Sequence, residues 1–280
     1  MAHGKQRRFR QDDLTRIRMD KALRESGAGM VGHHCHSYYE LYYVEQGCCR
    51  FMINDSFYDL NTDDFLLIPP QTFHNTRYLS GSCLRCNVYF RSGDISEQVS
   101  AALPEGGAFF SSPRIFHAQE LYHGQICELL RRMSLEEDLN DSRTASMQYF
   151  LLQELFLLIA RACEYTQALP QIIRAADRQT QLAARYIGSN YMHPITSADI
   201  AAAAGFSPNH LSKRFRESAG IGVHEYLVFT RLQHAAMELV STEDSITQIA
   251  LRCGFSDSNY FKDVFKKKFG VTPREYRKSR

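Results

Sequence analysis

The feature that most constrains this chain is a duplication in its C-terminal third. Ile200-Ala201, Gly205-Phe206, Leu211, Phe215, Gly220 and Glu225-Tyr226 recur as Ile249-Ala250, Gly254-Phe255, Phe261, Phe265, Gly270 and Glu275-Tyr276. The offset is 49 residues as far as Phe206 and 50 beyond it, so the second copy carries one extra turn residue. Apolar positions that repeat in step with their glycines imply one structural unit built twice.

The unit can be read position by position. Thr196 with Asp199 forms a capping box for a short alanine-rich helix, Ser197 to Ala204, which another helix can cross closely. Gly205 suits the left-handed terminator of that helix. Ser207 is a good N-cap, and Pro208 sits at the first helical position, where its missing N–H costs nothing. The helix from Pro208 to Ser218 buries Leu211 and Phe215 and leaves Asn209, His210, Ser212, Lys213 and Arg216 outward. In the second copy Asp257 takes the capping role, Phe261 and Phe265 are buried, and Ser258, Asn259 and Lys262 point out. Lys266, Lys267 and Lys268 close that helix, where they suit both its dipole and a phosphate backbone. A short helix, a glycine turn and a second helix with a polar N-terminal face make a helix-turn-helix, expected over 197–218 and 246–269. Val223 to Val240 has helical spacing and would join the two units rigidly.

Charge agrees with this division. From Arg174 onward there are 16 Lys+Arg against 10 Asp+Glu, whereas the first 173 residues hold 17 against 21. A basic half joined to an acidic half points to a polyanion as the partner of the C-terminal half alone. No apolar run reaches the roughly 18 residues that cross a bilayer, and no apolar segment follows the basic start MAHGKQRRFRQDD. The expected location is the cytoplasm, without a membrane partner.

The N-terminal half reads as short strands: Tyr38 to Glu45, Cys48 to Ile53, Phe57 to Leu60, Phe65 to Ile68, Phe73 to Tyr78 and Leu84 to Phe90. Gly47, Asn54-Asp55, Asn61, Pro69-Pro70 and Gly81 punctuate them, which favours a sandwich or barrel. Cys83-Leu84-Arg85-Cys86 is a lone C-x-x-C inside an alternating strand, and the eight scattered cysteines make no disulfide framework. Two amphipathic helices follow, one through Leu121, Leu129, Leu130 and Met133, the other through Met147 to Ala162. The second has so broad an apolar face that Leu151, Leu155 and Leu158 are expected at a homodimer seam, with packing on its own barrel as the alternative. The polar stretch Glu164 to Thr180 reads as a linker, helical in part.

Two resemblances add to these readings. GFSPNHLSKRF and, further on, ITQIALRCGFSDSNYFKDVFKKKFGVTPREYR closely resemble the AraC/XylS family of bacterial transcription regulators, over Gln179 to Arg277. The resemblance implies two helix-turn-helix units joined by one long helix and reading double-stranded DNA. Its usual base-facing positions fall on Asn209, Ser212, Lys213, Ser258, Asn259 and Lys262. Arg216, Lys266 and Lys267 are the expected phosphate contacts, and Asp263 stands where a basic residue is frequent. In the other half, His34-Cys35-His36-Ser37-Tyr38-Tyr39-Glu40 followed by Gly47 and His74 resembles the cupin barrel, in particular the sensor of the same regulators. Gln71 stands where glycine is usual, and Asp63 or Asp64 replaces another.

The expected fold is therefore two domains. An N-terminal all-β cupin-like barrel with trailing helices occupies 1–165, a linker 166–178, and an all-α DNA-binding domain 179–280. The expected function is a sequence-specific regulator, an activator by the habit of the family, and not an enzyme. Its effector, a sugar among the candidates, would bind at His34, His36, Tyr38, Glu40, Tyr42 and His74. No cofactor is expected. The rival reading places a metal on His34, His36, Glu40 and His74, in a cupin enzyme or metal sensor fused to a DNA-binding module. RNA polymerase and a second copy of the chain complete the expected partners.

Overall fold

A computed structural model of the chain describes residues 14–26, 35–53, 56–78, 81–164 and 178–278. The chain divides into two compact units, Met1–Ile172 and Ile173–Arg280.

The first unit is a cupin-like barrel made of two antiparallel sheets. Its strands are β1 (Arg18–Glu25), β2 (Tyr39–Gln46), β3 (Cys48–Ile53), β4 (Ser56–Asn61), β5 (Asp64–Ile68), β6 (His74–Arg77), β7 (Ser82–Phe90), β8 (Arg114–Ala118) and β9 (Cys163–Glu164). The larger sheet runs β1-β7-β2-β5-β8-β9 and the smaller β4-β3-β6. Three helices follow within this unit, α1 (Glu97–Ala102), α2 (His123–Leu139) and α3 (Thr144–Ala162). Strands β1, β8 and the two-residue β9 are additions to the expected six. Arg18–Glu25 is mostly half-exposed, as an edge strand is, and so lacks the apolar run that marks an interior strand.

Both faces of the larger sheet are covered. Tyr42, Val44, Leu66, Ile68 and Cys83 face the interior between the sheets, against Phe51, Ile53, Tyr58 and Leu60 of the smaller one. Leu41, Tyr43, Phe65, Leu67, Cys86, Val88 and Phe90 face the other way, onto Ile126, Leu130 and Met133 of α2 and Leu152, Phe156 and Ile159 of α3. Cys83 and Cys86 therefore belong to opposite faces of β7, and the C-x-x-C is a feature of a strand.

The same core corrects the expected dimer seam. Leu151 and Leu155 are buried in this unit's own core and Leu158 packs partly against it. The helix uses that broad stripe to cover its own sheet. Met147, Phe150 and Leu157 are the apolar residues of α3 left outside, 41%, 67% and 46% exposed.

The second unit is all helical: α4 (Arg178–Asn190), α5 (Ser197–Ala204), α6 (Pro208–Ala219), α7 (Val223–Ser241), α8 (Ile246–Arg252), α9 (Ser258–Phe269) and α10 (Pro273–Lys278). Residues 165–177, most of the expected linker, lie outside the described residues. Arg178 to Thr180, the end of the polar stretch, are helical and open α4. Helix α4 buries Thr180, Gln181, Ala183, Ala184 and Ile187 and packs on α5 and α6. Apart from Ile187 its core residues are small or polar, which is why its first turn reads as the end of a polar stretch.

The caps match their local chemistry. Thr196 and Asp199 form the expected capping box, Ser207 accepts from the His210 N–H, and Asp257 accepts from the Asn259 N–H. Ser245 and Gln248 make a further capping box on α8. After α5 the Phe206 N–H reaches the Ala201 carbonyl at 2.8 Å, and after α8 the Phe255 N–H reaches Ala250 at 2.9 Å. Both ends are Schellman turns, closed by left-handed Gly205 and Gly254. Helix α7 is buried on most of its circumference. Tyr226 meets Phe215 with ring centroids 5.2 Å apart, while Leu232, Ala235, Ala236 and Leu239 join Ile249, Phe261 and Phe265 in the second core. Each fully buried Phe contributes about 1.5–3 kcal/mol.

The two equivalent glycines stand in different surroundings. A Cβ on Gly205 would have only Gln179 Nε2 for a neighbour, at 3.5 Å. A Cβ on Gly254 would lie 2.5 Å from the Tyr191 carbonyl oxygen and 2.8 Å from Arg231 Nε, which are hydrogen-bonded to each other. Gly205→Ala should therefore cost only the left-handed penalty, about 1–2 kcal/mol. Gly254→Ala adds an overpacking cost, for a loss of about 3 kcal/mol or more. Urea unfolding of the two variants checks this, and equal losses would contradict it.

Candidate functional site

Two groups of residues carry chemistry, one in each unit. In the helical unit, Leu211 and Phe215 anchor α6 in its core, and Phe261 and Phe265 do the same for α9. Asn209, Ser212, Lys213, Arg216, Asn259, Lys262, Lys266 and Lys267 are exposed, and Ser258 is half-buried. The Ser212 hydroxyl donates to the Pro208 carbonyl at 3.2 Å, which leaves its lone pairs outward. Lys262 Nζ donates to Asn259 Oδ1 at 3.5 Å, so the two side chains lie together on the first turns of α9. Lys268 behaves differently from its two neighbours. Its ammonium sits 4.5 Å from the centroid of the Phe229 ring, a cation–π contact that ties α9 to α7.

In the barrel, the structure brings together His36, Glu40 and His74, all buried. Strand β2 carries Glu40, the segment before it carries His36, and β6 opens with His74. His36 Nδ1 donates to the Tyr38 carbonyl at 2.7 Å, and His74 Nδ1 donates to the Thr72 carbonyl at 2.9 Å. A carbonyl only accepts, so both rings carry their hydrogen on Nδ1. Each Nε2 then faces Glu40 Oε2, at 3.0 Å from His36 and 3.3 Å from His74. A neutral ring would set a lone pair against a carboxylate there. The arrangement requires a second proton or a cation between them. Burial works to raise the Glu40 carboxyl, but hydrogen bonds from His36 and His74 hold it well below the usual carboxylate range.

The ligand atoms of these three residues lie within 4.8 Å of one another. Two imidazoles and a carboxylate form a donor set that suits iron, manganese, nickel or zinc. The set therefore fits a divalent metal as well as the hydroxyl groups of an organic ligand. His34, the fourth expected member, lies outside the described residues.

Tyr38 stacks on His36, with ring centroids 4.1 Å apart. Tyr42 stands deeper, sharing a 3.2 Å hydrogen bond with the Tyr78 hydroxyl. The sequence reading missed the β7 side of the site. Glu40 pairs with Tyr89 in register, and Asn87 Nδ2 donates both to Glu40 Oε1 at 2.6 Å and to the Tyr89 hydroxyl at 2.9 Å. Arg85, next on the same face, is buried and bridges to Asp20 Oδ2 at 2.6 Å. The signal was the alternation Arg85, Asn87, Tyr89, three polar residues in a strand whose other face is apolar. The two departures from cupin glycines also have a physical form. Asp63 and Gln71 keep the left-handed backbone, at φ 68° and 62°, without being glycine.

The two units thus define a transcriptional regulator that joins a ligand-binding barrel to a DNA-binding domain. A model described as an AraC-like ligand binding domain matches residues 23–154, and a helix-turn-helix domain model matches 200–279. The chain belongs to the AraC family of regulators. It is 25% identical over 252 residues to the HTH-type transcriptional activator RhaS of Escherichia coli, covering 88% of this chain and 87% of that protein. Among solved structures it is similar to the C-terminal domain of AraT, a response regulator from Geobacillus stearothermophilus. That match has 32% identity, spans 38% of this chain and 89% of the other, and has a TM-score of 0.37. ToxT from Vibrio cholerae matches over 94% of this chain and 98% of its own, at 15% identity and a TM-score of 0.36. Among the described residues no helix is long and apolar enough to cross a membrane.

Proposed function

We propose that the chain is a cytoplasmic transcription activator, not an enzyme, and that a small hydroxylated molecule in its barrel controls it. The observation that carries this reading is the repeated helix-turn-helix with two exposed polar recognition faces. RhaS is named an activator, and the same output, through RNA polymerase, is proposed here. Effector binding and dimerisation are assigned to 1–165, the linker to 166–178, and DNA binding to 179–280. His36, Tyr38, Glu40, Tyr42 and His74, with His34, bind the effector, and Asn87 orients Glu40. Control requires that the effector favour one of two states of the regulator. A second reading rests on the convergence of His36, Glu40 and His74: the barrel holds a metal, as a metal sensor or a cupin enzyme fused to the DNA-binding domain.

We further propose a homodimer. Met147, Phe150 and Leu157 lie three and seven residues apart on the outer side of α3. That strip, in place of Leu151 and Leu155, is proposed as the seam with a second copy.

Four measurements test these proposals. Asn209 and Lys213 are assigned to one major-groove segment, and Ser212, Ser258, Asn259 and Lys262 complete the reading faces, with Arg216 and Lys266 on phosphate. In a binding-site selection, Asn209→Ala should relax base preference at one or two positions, since a bidentate Asn–adenine pair is worth about 1–3 kcal/mol. Lys267→Ala should weaken binding to all sequences alike and make the salt dependence shallower. Unchanged preference in both Asn209→Ala and Asn259→Ala would sink the assignment.

For the barrel, His74→Ala should abolish effector-dependent transcription while leaving DNA affinity without effector intact. A metal assay on the full chain purified without chelator separates the two readings. One equivalent of metal favours the second, and none favours an organic effector. For the seam, Phe150→Glu combined with Leu157→Glu should yield a folded monomer by sedimentation, whereas Leu151→Glu should unfold the barrel unit. A double variant that remains dimeric places the seam elsewhere.

A further inference from the structure

On the opposite face of β2 from Glu40 lies a second buried polar group. Tyr43 points toward α2, and its hydroxyl donates to Asp63 Oδ1 at 2.5 Å. Asp63 stands in the left-handed turn before β5, its own N–H held by the Val44 carbonyl and its carbonyl held by the Ala118 N–H. His123 opens α2 and places Nδ1 2.6 Å from the same Asp63 oxygen. One helical turn on, Cys127 Sγ lies 3.4 Å from His123 Nε2.

The proton positions follow from the partners. The Asp63 carboxylate only accepts, so His123 carries its hydrogen on Nδ1 and turns the Nε2 lone pair to the Cys127 thiol. A carboxylate that fixes a histidine tautomer, and a histidine that faces a nucleophile, form the relay that activates cysteines and serines. Burial and the Glu45 carboxylate raise the Cys127 thiol, with Tyr43 and Lys21 opposing them. The resting sulfur is thus a protonated thiol, and it needs a base to react. The group is reachable, because the His123 side chain is 38% exposed and Cys127 is half-buried. Of the eight cysteines only Cys48 is as accessible, and the other six are buried.

We propose that Cys127 is a covalent modification site for small α,β-unsaturated carbonyl compounds, with His123 as its base and Asp63 as the positioning residue. The sulfur lone pair forms a bond to the β-carbon as the thiol proton passes to His123 Nε2. The C=C pair moves to the enolate, and the imidazolium returns the proton to the α-carbon. The product is a thioether, and the addition needs no oxidant and expels no leaving group. The site lies across the strand from the barrel cluster, so it stands or falls independently of the effector assignment.

N-ethylmaleimide, a compact member of this class, tests the proposal on the full chain at pH 7, with timed quenching and mass-spectrometric mapping of each cysteine. Cys127 should label about 10²-fold faster than Cys48, within the usual range of general-base assistance. His123→Gln should remove that advantage while the Cys48 rate stays unchanged, and the wild-type pH profile should give way to that of an unassisted thiol. Asp63→Asn, whose side chain tolerates the left-handed turn, should give an intermediate rate and reports separately from the His123 variant. Labelling of Cys127 no faster than Cys48 in the native chain, or an unchanged Cys127 rate in His123→Gln, would overturn it.

Discussion

Much of the first unit depends on one constraint: strand β2 has no solvent face. Leu41 and Tyr43 are buried against the helices, and Tyr42 and Val44 are buried between the sheets. Any polar group between Glu40 and Val44 has to find its partners inside the protein, because an unpaired buried charge costs several kcal/mol. Glu40 finds His36, His74 and Asn87 on one face. Tyr43 finds Asp63 on the other. Period-two geometry thus sorts neighbouring residues into two separate polar sites on opposite faces of the strand.

The helical unit solves a different problem, that of holding two small cores in fixed relation. Helix α7 serves both cores. Its first half packs on Phe215 and its second on Phe261 and Phe265. Arg277 then secures the end of this shared helix, donating to the Leu239 and Asp244 carbonyls at 3.1 and 2.6 Å. The Lys268 contact with Phe229 belongs to the same bracing. A lysine in a basic run can therefore be a structural strut while the two before it stay exposed.

Legibility in the sequence followed periodicity and local chemistry. Caps, glycine turns and the buried pairs Leu211 with Phe215 and Phe261 with Phe265 are short-range features, and they stand where the spacing puts them. The strands around Tyr39 and Ser82 were equally plain. Helix α4 was less plain, because beside Ile187 its core face is Thr180, Gln181 and two alanines, which look polar or neutral in a hydropathy reading. The broad face of α3 was legible, but its partner was not. Apolar periodicity says that a face is covered and does not say by what. The barrel cluster was half legible for a related reason. The H-x-H-x3-E spacing places residues along one strand, whereas Asn87 and Tyr89 reach it through a register between β2 and β7 that no local pattern encodes. The Asp63 to Cys127 relay has members from a turn and a helix, and only the folded chain brings them together.

The unequal room around the two repeat glycines has a bearing on how this domain can change. At Gly205 the neighbouring space is open, whereas Gly254 is wedged against the Tyr191 carbonyl and the Arg231 guanidinium. Two copies of one pattern therefore differ in how much change their turns can accommodate. The first has slack around its turn, and the second is locked to α7 and to the turn that follows α4. A change beside the first turn can be absorbed locally, whereas one beside the second is passed on to Arg231 of α7 and to the turn after α4.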